Sequence, residues 1–128
     1  MELKAKKTRR ILIVEDDVVV RWMYARFVAK LGYEAEDVAS VAEAKAALNR
    51  EEYDLILLDV HLADGDGSAV ITVAREGFSG RNTPVVVISS DDSGELIQSM
   101  REHGANEFLL KPVDFKELEA VLRRWLSA

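Results

Sequence analysis

Four unbroken apolar runs each stop on a polar or charged residue, and this arrangement constrains the fold more than any other feature. Ile11-Leu12-Ile13-Val14 ends in Glu15-Asp16-Asp17, and Leu55-Ile56-Leu57-Leu58 ends in Asp59. Val85-Val86-Val87-Ile88 ends in Ser89-Ser90, and Phe108-Leu109-Leu110 ends in Lys111-Pro112. Short runs of Ile, Val and Leu without polar alternation mark strands buried on both faces, as in a parallel sheet. In an open α/β sheet the C-terminal strand ends form one edge, where ligands bind. Parallel strands would therefore bring three carboxylates, a hydroxyl and an ammonium into one cleft.

Helical patterns lie between the runs. Residues 18–31 place Val18, Trp22, Ala25, Val28 and Ala29 on one stripe, with Gly32 as the stop. Residues 34–39 read as a weaker strand of mixed polarity, nearer an edge. Ser40-Val41-Ala42-Glu43 is a capping box opening a helix to about Arg50. Further helices are expected over 68–76, 93–103 and from Asp114 onward, the last with Leu118, Val121, Leu122 and Trp125 on one side. Strands and helices in strict alternation predict right-handed βαβ crossovers: an α/β, doubly wound, five-stranded parallel sheet with five helices on its two faces.

Length and charge narrow the possibilities. A chain of 128 residues suits one domain, and 48% apolar residues can build its core. Net charge is −6, and residues 1–9 form a basic head that reads as a solvated tail, with a weak docking role as the sharper alternative. The remainder, residues 10–128, is acidic, which argues against nucleic-acid binding through phosphate neutralisation. With no cysteine, disulfides, thiol catalysis and Cys-ligated zinc are excluded. No apolar run approaches the roughly 20 residues that cross a bilayer, so the expectation is a cytoplasmic protein with no membrane partner.

Clustered at one sheet edge, Glu15, Asp16 and Asp59 would repel one another unless a cation joined them. Only oxygen ligands are on offer, which favours a hard divalent ion, above all Mg²⁺ with retained waters. Asp17 reads as a helix cap, outside the cluster. Taken singly, Ser89 is a strand-end cap and Lys111 a surface lysine. Together with a metal-bound carboxylate they form a mould for three phosphoryl oxygens. The carboxylate itself can attack phosphorus to give an aspartyl-phosphate.

The segments ILIVEDD at 11–17, DLILLD at 54–59 followed by LADGDG at 62–67, PVVVISS at 84–90 and GANEFLLKPVD at 104–114 resemble the receiver domain of bacterial two-component response regulators. The resemblance spans residues 9–127 and is to the stand-alone, chemotaxis-regulator-like type. It implies a flavodoxin-like fold of strand order 2-1-3-4-5, the order known for a member of this family and carried over with it. It implies Asp59 as phosphoacceptor, Asp16 as the more direct Mg²⁺ ligand, Glu15 acting largely through water, and the His61 backbone carbonyl as a further ligand. Ser89 stands at the switch hydroxyl, Lys111 at the active-site lysine, Phe108 at the aromatic switch position, and Pro112 after a cis peptide bond. His61 and Asp91 fall where the family tunes the lifetime of its phosphate. The departures are Ser for the commoner Thr at 89, Phe for Tyr at 108, and Ala63 where Pro is usual, which predicts a more mobile loop after Asp59. His103 reads as a favourable charge at a helix end rather than a site residue.

The implied activity is phosphorelay signalling. A sensor histidine kinase or histidine phosphotransfer protein would pass its phosphoryl group to Asp59, and hydrolysis would reset the protein. Ser89 and Phe108 would then repack a docking surface for a downstream protein, formed by the fourth helix, fifth strand and fifth helix. No output domain is expected after Trp125. The chain is therefore expected to be a natural single-domain regulator, favoured by its opening Met, or a receiver cut from a hybrid kinase or longer regulator.

Two rivals use similar parts. A haloacid-dehalogenase-like phosphatase also forms an aspartyl-phosphate, but needs a second Asp two residues on, where this chain has His61. A flavodoxin-like cofactor binder needs a Gly- or Ser-rich phosphate loop after the first strand, and Glu15-Asp16-Asp17 would repel a phosphate there.

Overall fold

The computed structural model describes residues 8–77 and 82–127. Most of the basic head falls outside them. The described residues alternate strand and helix: β1 (Arg10–Val14), α1 (Val18–Lys30), β2 (Glu34–Val38), α2 (Val41–Arg50), β3 (Leu55–Asp59), β4 (His61–Leu62), β5 (Gly65–Asp66), α3 (Ser68–Glu76), β6 (Val85–Ser89), α4 (Gly94–His103), β7 (Glu107–Leu110) and α5 (Phe115–Leu126). The main sheet runs β2-β1-β3-β6-β7, all parallel. Counting only its five strands, this is order 2-1-3-4-5, as expected. The short antiparallel hairpin β4–β5 was not foreseen, because two-residue strands leave no periodic signal.

Burial explains why the runs are unbroken. Ile11, Leu12, Ile13, Leu55, Ile56, Leu57, Leu58, Val85, Val86 and Ile88 are all essentially inaccessible. Their side chains alternate between two core layers. Ile11, Ile13, Leu55, Leu57, Val86 and Ile88 pack with Tyr24 and Val28 of α1 and Leu118, Val121 and Leu122 of α5. Leu12, Val14, Ile56, Leu58, Val85 and Val87 pack with Ala44 and Ala47 of α2, Val70 and Ile71 of α3 and Met100 of α4. Each such side chain contributes roughly 1.5–3 kcal/mol of burial, and the three central strands supply a large share of the core.

The helix caps follow the sequence. Asp17 accepts a hydrogen bond from the Val20 N–H at 3.0 Å. Ser40 accepts from the Glu43 N–H at 3.1 Å, while Glu43 reaches back to the Ala39 N–H at 2.7 Å. Gly104 closes α4 at φ 112°, a left-handed conformation that favours glycine. The α1 stripe needs correction. Val18 and Trp22 are 67% and 60% exposed, and Ala29 is exposed too, whereas Tyr24 and Val28 are buried. Ten of the helix's thirteen residues are apolar, so spacing alone selects no face. The Asp17 cap and Arg21, which bonds Asp37 and the Glu15 carbonyl at 3.0 Å each, tie down the helix start. Trp22 carries the Arg26 guanidinium over its ring at 4.9 Å.

Glu107 joins β7 to α5 through Arg124 and through the Trp125 indole N–H, which donates to it at 2.6 Å. Burial acts to raise its carboxyl pKa, but the bonds from Arg124 and Trp125 outweigh this and hold it below its ordinary value. A depressed folded pKa stabilises above the unfolded value and loses that stability as pH falls through the folded one. Thermal unfolding from about pH 6 down to about pH 3 is therefore expected to show a steeper loss for the wild type than for Glu107→Gln. Parallel acid limbs would remove Glu107 from the account.

Candidate functional site

Sheet register builds the site one residue at a time. Val14 pairs with Leu58, so Glu15 leaves β1 beside Asp59. Asp59 pairs with Ile88, and Ser89 with Leu110, so Ser89 and then Lys111 follow one step beyond. The Lys111 N–H donates to the Ser89 carbonyl at 2.9 Å, and the Glu15 N–H to the Val38 carbonyl at 3.1 Å. One carboxylate oxygen from each of Glu15, Asp16 and Asp59 lies within 4.8 Å of the other two. Glu15 and Asp59 are buried and Asp16 is exposed.

Lys111 closes the cluster. Its ammonium donates to Glu15 Oε1 at 2.8 Å and lies 3.5 Å from Asp59 Oδ2. The other Glu15 oxygen accepts from the Asp17 N–H at 3.1 Å. Burial disfavours the Lys111 charge more than any single neighbour supports it. The Glu15 bond and the charges of Asp59 and Glu15 together outweigh burial and hold Lys111 above its ordinary range. Beneath them, Tyr24 of α1 is buried, and burial, with Glu15 and Asp59 nearby, pushes its phenol up to about 12. Asp17 acts as a cap, as expected.

Ser89 is buried, and its hydroxyl accepts from the Asp91 N–H at 3.0 Å. With Phe108 it lines a cavity of about 130 Å³, whose other walls include Val87, Leu96 and Leu109. Phe108 is half-buried, with the Arg101 guanidinium 5.4 Å from its ring centroid. The Lys111–Pro112 peptide bond is cis. His61 is exposed, and its N–H faces Asp59 Oδ1 at 3.4 Å. Asp91 braces the start of α4 by accepting from the Ser93 N–H at 2.9 Å. The Ser93 bonds, aided by the charge of His61, hold its carboxyl below the usual range. A polar depression of about 300 Å³ lined by Arg10, Tyr53, Asp54 and Pro84 lies at the N-terminal strand ends, away from these groups.

Sequence reasoning missed Gly67. A Cβ there would sit 2.7 Å from the Asp59 carbonyl oxygen and 3.1 Å from the Val60 Cα. Only glycine lets α3 begin against the strand that carries Asp59. Nothing local in DGDG announces this contact. Asp64 was missed too: its carboxylate accepts from the Val41 and Ala42 N–H groups of α2. The loop expected to loosen around Ala63 is thus tied to α2, paired within itself as β4–β5, and closed by Gly67 N–H to Val60 C=O at 2.7 Å.

The family described as the response regulator receiver domain matches residues 11–123. The chain belongs to that family. As a receiver domain of two-component systems, it acts in phosphorelay signalling. The match leaves the haloacid-dehalogenase-like alternative without support. Transcriptional regulatory protein PcoR of Escherichia coli is 36% identical over 118 residues, covering 92% of this chain and 51% of PcoR. The chain spans about half the length of PcoR and of the swarming regulator RssB of Serratia marcescens. Among solved structures, chemotaxis protein CheY4 of Vibrio cholerae superposes with a TM-score of 0.90 at 28% identity, covering 94% of this chain and all of CheY4. The receiver domain of sensor histidine kinase PA1611 from Pseudomonas aeruginosa PAO1 gives 0.87 at 29% identity over 95% and 100% of the two chains. It was solved with a magnesium ion in its active-site cleft. No helix among the described residues of this receiver is long and apolar enough to cross a membrane.

Three carboxylates this close repel one another, and a single ammonium compensates them only in part. Without added metal, Asp59→Asn is expected to raise stability by about 1 kcal/mol, roughly 3–5 °C in Tm. Lys111 keeps its bond to Glu15 in that variant. A lower Tm for Asp59→Asn in scanning calorimetry would contradict this account of the site.

Proposed function

We propose that this receiver accepts a phosphoryl group on Asp59 from the phosphohistidine of a sensor histidine kinase or histidine phosphotransfer protein. The observation that carries the reading is the meeting of Glu15, Asp16 and Asp59 within 4.8 Å beside the Lys111 ammonium. Asp59 Oδ forms the new bond to phosphorus as the phosphorus–nitrogen bond of the donor breaks. The electron pair stays on the imidazole nitrogen, which takes up a proton. Lys111 stabilises the spreading charge on the phosphoryl oxygens, and Ser89 offers its hydroxyl to one of them.

The all-oxygen donor set fits Mg²⁺. Asp16 and Asp59 would hold it directly, Glu15 through water, and the His61 backbone carbonyl would add a ligand. Bound there, the ion would supply charge neutralisation for the transferring group. The protein is a stoichiometric phosphoacceptor that catalyses only its own phosphorylation and slow dephosphorylation, not a turnover enzyme. Its cytoplasmic placement follows from the same partners.

The output reading rests on the cavity between Ser89 and Phe108. When the Ser89 hydroxyl moves toward the phosphoryl group, the Phe108 ring turns inward and the α4–β7–α5 face repacks for a downstream protein. Leu110, 51% exposed on β7, lies on that face. The phosphoryl group favours one of two existing states rather than creating a new one. The acidic body gives the domain no direct role on nucleic acid.

Incubation with Mg²⁺ and acetyl phosphate should add one phosphoryl group, mapped by mass spectrometry to Asp59 and absent from Asp59→Asn. Modification elsewhere, or equal modification of the variant, would defeat the reading. His61 and Asp91 flank the path of the attacking water. Replacing each with Ala should change the decay rate of the aspartyl-phosphate several-fold, and unchanged decay in both variants would remove them from that role.

A further inference from the structure

We infer that Asp64 is a positioning residue for the phosphoacceptor site: its carboxylate docks the hairpin that follows Asp59 onto the N-terminus of α2. This rests on the proposed role of Asp59 and Mg²⁺ and concerns what holds their loop in place. Asp64 Oδ1 accepts from the Val41 N–H at 2.8 Å, and Oδ2 from the Ala42 N–H at 3.0 Å. Both donors belong to the first turn of α2, where N–H groups lack helical partners and the dipole favours negative charge. Charge-assisted bonds of this kind are stronger than neutral ones.

Helix α2 already has local caps in Ser40 and Glu43. A second clamp arriving from more than twenty residues along the chain therefore does more for the hairpin than for the helix. Two further contacts fix the same junction. A Cβ at Gly65 would lie 3.4 Å from Val41 Cγ2, so the hairpin backbone runs close against α2. Leu62 is buried in the same core layer as Val41.

Asp64 stands at the tip of the hairpin, and His61 pairs with Asp66 at its base. Fixing the tip on α2 fixes the position of His61, whose N–H faces Asp59. Ala63 brings no ring to restrict the backbone at the position before Asp64. In this chain the clamp supplies that restraint through tertiary bonds. The bonds from Val41 and Ala42 also hold the Asp64 carboxyl below its usual range, so it accepts as a carboxylate at neutral pH.

The test titrates Mg²⁺ alone into the wild type, Asp64→Ala, Asp64→Asn and Ser40→Ala, following amide chemical shifts. Supporting tissue around metal ligands typically carries about tenfold or more in metal affinity. Asp64→Ala should therefore bind Mg²⁺ about tenfold more weakly, and Asp64→Asn, which keeps one acceptor, should fall between. Ser40→Ala removes a cap of the same helix but leaves the hairpin alone, and should bind like the wild type. Saturating Mg²⁺ should restore the rate at which acetyl phosphate modifies Asp64→Ala. Wild-type Mg²⁺ affinity in Asp64→Ala, with a loss of Tm matching Ser40→Ala, would reduce Asp64 to a helix cap and overturn the inference. If Asp64→Ala does not fold, Asp64→Asn against Ser40→Ala carries the same comparison. A wild-type protein that takes up no Mg²⁺ would instead sink the reading of the site itself.

Discussion

The bond from the Lys111 ammonium to the Glu15 carboxylate joins the last strand–helix turn to the first, and the chemistry of the site depends on it. Glu15 is 1% exposed. A carboxylate so deep is tolerated only with its charge paired and its lone pairs used. Lys111 takes one oxygen and the Asp17 N–H takes the other. With Glu15 satisfied in this way, Asp16 and Asp59 remain the under-compensated acids. The pair also places the ammonium 3.5 Å from Asp59, where it can meet an incoming phosphoryl oxygen without a large movement.

The sheet provides the rigidity that this arrangement needs. Asp59 and Ser89 are the last residues of strands buried on both faces, so their backbone positions are set by packing in two core layers at once. A displacement of Asp59 would have to move Leu57 against α1 and α5 and Leu58 against α2, α3 and α4. Gly67 adds a third constraint from the start of α3. Loops supply what strands cannot, namely the approach path and the room that the proposed switch needs. The cavity beside Phe108 is one place where the close packing of the core is relaxed.

What could be read from the sequence was what repeats. Unbroken Ile, Val and Leu runs announced buried strands, alternation announced the topology, and polar residues at run ends announced the edge where Asp59, Ser89 and Lys111 meet. Features that depend on a single tertiary contact left no such signal. The α1 face was misassigned because Val18 and Trp22 are as apolar as Tyr24 and Val28. Gly67 and Asp64 carry no local signal, since their partners, the Asp59 carbonyl and the α2 amides, lie outside their own turn. The roles proposed for Phe108 and His61 rest on the family resemblance, since periodicity carries no information about them.

The acidity of this edge has two separate origins. In a parallel sheet with helical crossovers, helices run back against the strands, so their positive N-terminal ends gather at the edge where the strands finish. Acidic side chains serve those ends throughout: Asp17 at α1, Asp64 at α2, Asp66 to the Ser68 N–H of α3, Asp91 to the Ser93 N–H before α4, and Asp114 at α5. Each of these carboxylates has its charge met by backbone N–H groups. Asp59 stands apart, because it caps no helix: the charge facing it is an ammonium already bonded to Glu15, beside one long contact from the His61 N–H. Where acids crowd one edge, the residues left to bind a cation are those the helix ends do not claim. The same gathering of helix N-termini makes that edge favourable for the negative charge that a phosphoryl group brings.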